Sequence, residues 1–103
     1  MRTDRSDPLE AFVDEGLRLM ARRDYHPSIF IRRRDELGTV SAIERLVVSG
    51  EVQSGFHRLR RLNMLEWSME AAVRRFPDRF TQTARECAAF RLANVDDNAL
   101  RGR

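Results

Sequence analysis

Apolar residues recur at intervals of three and four along most of this chain, and proline, glycine and helix-capping residues interrupt the pattern at short intervals. Strand-like alternation with hairpin turns is almost absent. The pattern predicts an all-α fold, a compact bundle of five to six short helices. At 103 residues the chain is long enough for one domain, since a domain of this size hides roughly 60–68% of its unfolded surface. We expect a single helical domain at residues 1–93 and a flexible C-terminal tail at residues 94–103.

The helix boundaries are predicted from capping residues, from proline at helix starts, and from glycine or asparagine at helix ends. Gly16 lies on the apolar stripe of the first helix, where its missing side chain would allow another helix to approach closely. The predicted helices are: Pro8 to near Asp24, capped by Ser6 or Asp7; Pro27 to Gly38; one capped by Thr39 and ended by Ser49 and Gly50; Ser54 to Asn63; 66–76, ended by Pro77; and one beginning after Thr81.

The apolar positions of each helix predict which side chains face the core. The single cysteine, Cys87, lies on the inner side of the last helix, so we expect a buried and unreactive thiol. The predicted core residues are Leu9, Phe12, Val13, Leu17 and Met20; Phe30 and Leu37, with Ile29 or Ile31; Val40, Ile43, Leu46 and Val47; Phe56, Leu59 and Leu62; Trp67 or Leu65, Met69, Val73 and Phe76; and Ala84, Cys87, Ala88 and Leu92.

Charge is distributed unevenly along the chain. All nineteen basic residues are arginine, and the net charge is +3. Residues 1–51 carry nine arginines and ten acids, whereas residues 52–103 carry ten arginines and six acids, so a polyanion would prefer the second half. The segment SGFHRLRRLNML presents a basic outer face if it is helical. The candidate nucleic-acid contacts are His57, Arg58, Arg60, Arg61, Arg74 and Arg75.

Sequence patterns for catalysis, metal binding and cofactor binding are absent. His26 and His57 are the only general bases near neutral pH, and neither lies in a recognised catalytic or metal-binding motif. One cysteine excludes an internal disulfide and a cysteine-based zinc site. We therefore predict no catalytic, cofactor or metal site, and we expect that the protein is not an enzyme. The N-terminal segment MRTDRSDPLE lacks the apolar centre of a signal peptide, and no apolar run is long enough to span a bilayer, so we expect a cytoplasmic protein.

From Tyr25 to Leu92 the chain resembles a small helical module of unassigned function that recurs in bacterial proteins, both as a short chain and as an appended domain. The resemblance implies a fold and not an activity. Arg60, Arg61 and Asn63 depart from it, because similar sequences have tryptophan, an acid and glycine there. The matching residues are Tyr25, Pro27, Phe30, Glu36, Gly38, Val40, Ala42, Arg45, Leu46, Ser54, Gly55, Phe56, Leu59, Leu62, Leu65, Ser68, Glu70, Phe80, Thr81, Ala84 and Leu92.

Two functions fit these features. The first is a non-catalytic interaction module that docks onto a protein partner or onto itself; by analogy, a bacterial defence or mobile-element system is a setting for such a module. The second is a DNA- or RNA-binding protein that uses the arginine-rich fourth helix in the manner of a helix-turn-helix reader. The connection SGEVQS is longer than the three or four residues usual in that motif. Glu70 follows Ser68 closely, which suits either a helix-dipole role or an ion pair with an arginine across the bundle.

Overall fold

The computed structural model describes residues 7–49 and 53–101. Within these ranges the chain forms α-helices and two single 3-10 turns, and it contains no strand, which confirms the predicted all-α bundle. The α-helices are α1 (Pro8–Arg22), α2 (Ser28–Leu37), α3 (Thr39–Ser49), α4 (Gln53–Arg61), α5 (Met69–Arg75) and α6 (Gln82–Arg101), and the 3-10 turns are Leu65–Trp67 and Pro77–Arg79.

The main core lies between α1, α3, α5 and α6, and α2 packs on α3. A smaller apolar cluster of Met20, Leu59 and Met64 joins the end of α1 to α4. No helix in the described ranges combines the length and apolar character needed to cross a bilayer. The buried residues of the main cluster are Leu9, Val13, Phe30, Ala42, Ile43, Leu46, Val47, Ala72, Val73, Phe80, Ala84 and Ala88.

Several helix ends follow the predicted signals. The Asp7 carboxylate accepts a hydrogen bond from the Leu9 amide at 2.9 Å and caps α1. Gly38 follows α2 with a φ of 90°, and Asn63 follows α4 with a φ of 62°, a region that glycine and asparagine enter most easily. Thr81 accepts a hydrogen bond from the Ala84 amide at 3.2 Å at the start of α6. Ser6 and Gly50, two further predicted signals, lie outside the described residues. Thr39, the predicted cap of α3, is instead its first helical residue, and its hydroxyl donates to the Glu10 carboxylate at 2.7 Å.

Several local predictions differ from the structure. Leu37 is 40% exposed, and Ile29 and Ile31 are exposed as well, at 44% and 37%. Helix α2 contacts α1 through the Arg34 guanidinium, which bonds Glu10 at 2.5 Å and Asp14 at 2.8 Å. The predicted fifth helix is divided at Ser68, whose hydroxyl accepts from the Ala71 amide and caps a shorter α5.

Another difference concerns Cys87, which is partly exposed and not fully buried.

Helix α6 continues to Arg101, past residue 93, where we placed the end of the helical domain; residues 102–103 lie outside the described ranges. The predicted domain boundary and tail stay predictions.

Gly16 allows the close contact that the sequence predicted. A Cβ atom at this position would lie 3.2 Å from the Trp67 ring, which is tighter than an ordinary van der Waals contact. The approaching element is the first 3-10 turn and not another α-helix. The absence of a side chain at Gly16 therefore fixes the position of Trp67 against α1.

Substituting Gly16→Leu should displace Trp67. The added side chain has no space against the indole, and overpacking of this kind typically lowers the free energy of unfolding by about 1–3 kcal/mol. Because Trp67 is the only tryptophan, its fluorescence emission reports the displacement directly, and urea denaturation measures the stability. Ala21→Leu, at an exposed position of the same helix, is the control, and equal emission spectra for both variants would contradict the contact.

Candidate docking site

An apolar cavity of about 180 Å³ lies between α1, the connection from α1 to α2, α4 and the first 3-10 turn. Its floor reaches the buried side chains of Ile43 and Ala72. Its edge includes the exposed residues His26, Ser28 and Ile29, so the cavity opens to solvent beside the start of α2. The gap separates α4 from the main core, and α4 packs chiefly on the first 3-10 turn.

Aromatic side chains form one wall of the cavity. The Phe12 and Trp67 rings are stacked, with their centroids 4.9 Å apart and an interplanar angle of 25°. Phe76 meets Phe12 edge-on at 5.8 Å, and the Arg75 guanidinium lies over the other side of this group, 5.0 Å from the Phe12 centroid. Contacts of this kind hold each ring in one orientation, so the wall is rigid.

Tyr25 connects the cavity to the basic surface of α4. Its ring lines the cavity, and the Arg58 guanidinium lies 5.1 Å from its centroid. Burial raises the pKa of the Tyr25 phenol, while the neighbouring Arg58 charge acts in the opposite direction. The Arg23 side chain donates to the Leu62 carbonyl at 3.3 Å. These contacts bring the end of α1 and the end of α4 together at one edge of the cavity.

Helix α4 has an apolar side toward the cavity and a basic side toward solvent. Gly55, Phe56 and Leu59 line the cavity, and Gly55 and Leu59 share a face because they are four residues apart. His57, Arg58 and Arg61 are exposed, and Arg60 is partly exposed. The predicted division of the segment into an inner and an outer face is therefore confirmed for Phe56 and Leu59, which are 5% and 6% exposed.

The arginines of α4 form a continuous group without carboxylate partners in the described chain. Among the described residues, no carboxylate lies within salt-bridge distance of Arg58, Arg60 or Arg61. The sequence accounts for this, since no acidic residue occurs between Glu51 and Glu66. The pairs elsewhere in the described chain are Arg18 with Glu15, Arg34 with Glu10 and Asp14, Arg79 with Asp7, and Arg91 with Glu70.

The six predicted nucleic-acid contacts fall into two groups. His57, Arg58, Arg60 and Arg61 lie together on α4, whereas Arg74 and Arg75 lie on α5. Arg75 lies over Phe12, in the second turn of α1, and Arg58 lies over Tyr25, beyond the end of that helix. A rise of 1.5 Å per residue separates Phe12 from the end of α1 by roughly 15 Å. Phe12 and Tyr25 both line the cavity, so Arg75 and Arg58 each lie beside a lining residue, at separate places.

The cavity itself was missed by sequence reasoning. Its lining residues were predicted as ordinary core, because an apolar helix face has the same spacing whether it meets another helix or a gap. Gly55 was the one available signal, since it interrupts the inner face of α4 with a residue that fills no space. In the described part of the chain, no three histidine, cysteine or acidic side chains come together in a way that would hold a metal ion.

Comparison of the chain with protein-family models, curated proteins and solved structures found no match. The resemblance to a recurring bacterial helical module accordingly stays a prediction.

Proposed function

We propose that this protein is a non-catalytic docking module that binds a protein surface carrying carboxylates around an apolar anchor. The observation that carries the proposal is the absence of carboxylate partners for Arg58, Arg60 and Arg61 within the described residues, on a helix whose other side lines an apolar cavity. Guanidinium groups bind carboxylates through two parallel hydrogen bonds and are weakly hydrated, which favours them at interfaces. An acidic partner would supply the charges that this chain lacks along α4.

Charge and apolar area have separate roles in this proposal. An exposed ion pair contributes only about 0–1 kcal/mol, so the arginines mainly orient the partner and accelerate its association. The cavity supplies the apolar burial on which affinity depends, since anchor residues in desolvated pockets account for most of the binding energy at protein interfaces. Both features lie on adjacent sides of α4, so one partner surface would contact both.

Nucleic-acid binding is the alternative that the same arginines allow. The packing of α4 on the first 3-10 turn, with the cavity between α4 and the core, favours the protein partner, because a helix-turn-helix reader packs its recognition helix directly on the preceding helix. The cavity would also have no role in a phosphate contact. We therefore treat DNA or RNA binding as an outcome of the test.

A fluorescent Asp/Glu-rich peptide with one phenylalanine should bind the protein in an anisotropy titration, and its alanine counterpart should bind more weakly. Replacing Arg58 and Arg61 with alanine should weaken binding of the phenylalanine peptide by up to about thirtyfold, the effect of losing two exposed ion pairs of about 1 kcal/mol each. Raising the salt concentration should also weaken it.

The matched control replaces Arg32 and Arg45 with alanine, since both are exposed on other helices, outside the cavity lining, and the change in net charge is identical. Equal losses of peptide affinity in the two double variants would show a general effect of net charge and contradict the docking site. Tighter binding of duplex or single-stranded DNA than of the phenylalanine peptide, lost in the α4 variant alone, would establish the nucleic-acid function instead.

A further inference from the structure

We infer that the partner is a second copy of this chain, and that Phe90 of one copy enters the apolar cavity of the other. The inference rests on the proposed function, because it names the occupant of the same site. Phe90 is 69% exposed, whereas the other exposed large apolar residues with described side chains range from 37% to 46%. It lies on α6, which contributes no residue to the cavity lining, so the anchor and its receptor occupy different surfaces of one molecule.

The size of the cavity suits one phenylalanine side chain. At about 180 Å³, it is slightly larger than an apolar protein cavity of roughly 150 Å³ that accepts benzene. It is smaller than the 300 Å³ or more of a typical pocket for a drug-sized ligand. Phe12, Phe56 and Trp67 line it, and an incoming ring would meet these aromatic side chains in the stacked or edge-on contacts that rings favour.

The charges around Phe90 complement those around the cavity. Glu86 lies one turn before Phe90 on the same face and is exposed, with its carboxylate accepting a hydrogen bond from Gln82 at 2.9 Å. Phe90 thus has an exposed carboxylate beside it on α6, while Arg58 lies over Tyr25, which lines the cavity.

The arginines of α6 closest to Phe90 in sequence are engaged within their own molecule. The Arg85 side chain donates to the carbonyl oxygens of Pro77 and Phe80, at 3.2 and 2.6 Å. Arg91 is directed toward the core, where it pairs with Glu70. Arg85 stays exposed, but its separation of five residues places it on a different side of α6 from Phe90. Among the described side chains, Glu86 is therefore the charged group on the same side of α6 as Phe90.

Separate donor and acceptor surfaces define the kind of assembly expected. If the contact repeats in one direction, the molecules associate head to tail; if two copies exchange Phe90 reciprocally, they form a closed dimer. In both cases Phe90 and the cavity act as two halves of one contact, so each can be removed separately by mutation.

Sedimentation equilibrium over a protein concentration series tests the inference. The wild-type chain should self-associate, and Phe90→Ala should weaken association by about thirtyfold or more, as expected for a central anchor residue. Gly55→Leu should do the same by filling the cavity from the face that Gly55 shares with Leu59. Mixing the two variants should restore association between unlike molecules, because one supplies an intact cavity and the other supplies Phe90. Val48→Ala, at an exposed apolar position of α3 that neither lines the cavity nor belongs to α6, should associate as the wild type does.

Self-association of Phe90→Ala at the wild-type affinity, or a monomeric wild-type protein at every concentration, would overturn the inference. If Gly55→Leu does not fold, benzene provides the second measurement: occupation of the cavity should change the Trp67 emission and dissociate the wild-type assembly. A wild-type monomer that still binds the acidic phenylalanine peptide would refute only self-association, whereas failure to bind that peptide would refute the proposed function. The Phe90→Ala variant should retain peptide binding because its cavity is intact.

Discussion

Replacing Arg91 with alanine is expected to lower the free energy of unfolding by about 3–5 kcal/mol, the usual cost of leaving a buried charge without its partner. Arg91 donates to the Glu70 carboxylate, and its other terminal nitrogen donates to the Val47 carbonyl at 2.7 Å. Glu70 is 1% exposed, so water cannot replace the guanidinium. The loss would be a large fraction of the stability of a small domain, typically 5–15 kcal/mol.

Urea denaturation at neutral pH measures this loss, and the exposed pair of Arg18 with Glu15 supplies the control. Their side chains are 57% and 43% exposed, so Arg18→Ala should change stability by about 0–1 kcal/mol. A variant with apolar residues of similar volume at both Glu70 and Arg91 should recover most of the loss, since the buried charge is then removed altogether. Similar small effects for Arg91→Ala and Arg18→Ala would contradict the buried pair.

Replacing a buried leucine with alanine lowers the free energy of unfolding by about 2–5 kcal/mol. We expect a loss near the upper end of this range for Leu46 and near the lower end for Leu59. Leu46 has no exposed surface and lies in the main cluster between α3 and the other helices. Leu59 is 6% exposed and borders the existing cavity. Truncating Leu59 therefore removes fewer packing contacts than truncating Leu46 does.

Leu37→Ala is the matched control for both substitutions. Leu37 is 40% exposed, so its truncation should change stability by about 0.5 kcal/mol or less, as at other surface positions. Urea denaturation of the three variants gives the order directly. A cost at Leu59 equal to that at Leu37 would mean that the inner face of α4 has been misassigned, and a cost above that at Leu46 would contradict the cavity beside Leu59.

If both proposals hold, α4 and α6 have complementary roles on opposite partners of one contact. Helix α4 offers arginines and a cavity, and α6 offers an aromatic ring beside the exposed Glu86 carboxylate. Because the arginines contribute mainly to orientation and association rate, salt should affect the formation of the assembly more than its lifetime. The cavity contact should determine the lifetime.

The helical elements were predictable because their signals are local. Asp7 with Pro8, Gly38, Asn63 and Thr81 each satisfy or end a helix through atoms a few residues away, so neighbouring sequence is sufficient to place them. Local signals are insufficient where contacts with a distant helix decide which side chains are buried. Leu37 has the spacing of a core residue, yet it is 40% exposed, and α2 contacts α1 through the ion pairs of Arg34.

The sequence by itself determined the fold class, most helix boundaries, and the basic character of the outer side of α4, because spacing, capping and local composition specify all three. Only the tertiary structure decided that Arg91 is the partner of Glu70 and that Trp67 packs on Gly16. It also decided that a cavity lies beside the inner face of α4 and that Phe90 is left exposed on α6. These features depend on how the apolar faces of different helices meet in space. One apolar spacing serves equally for a face that is packed, a face that lines a gap, and a face that stays in solvent.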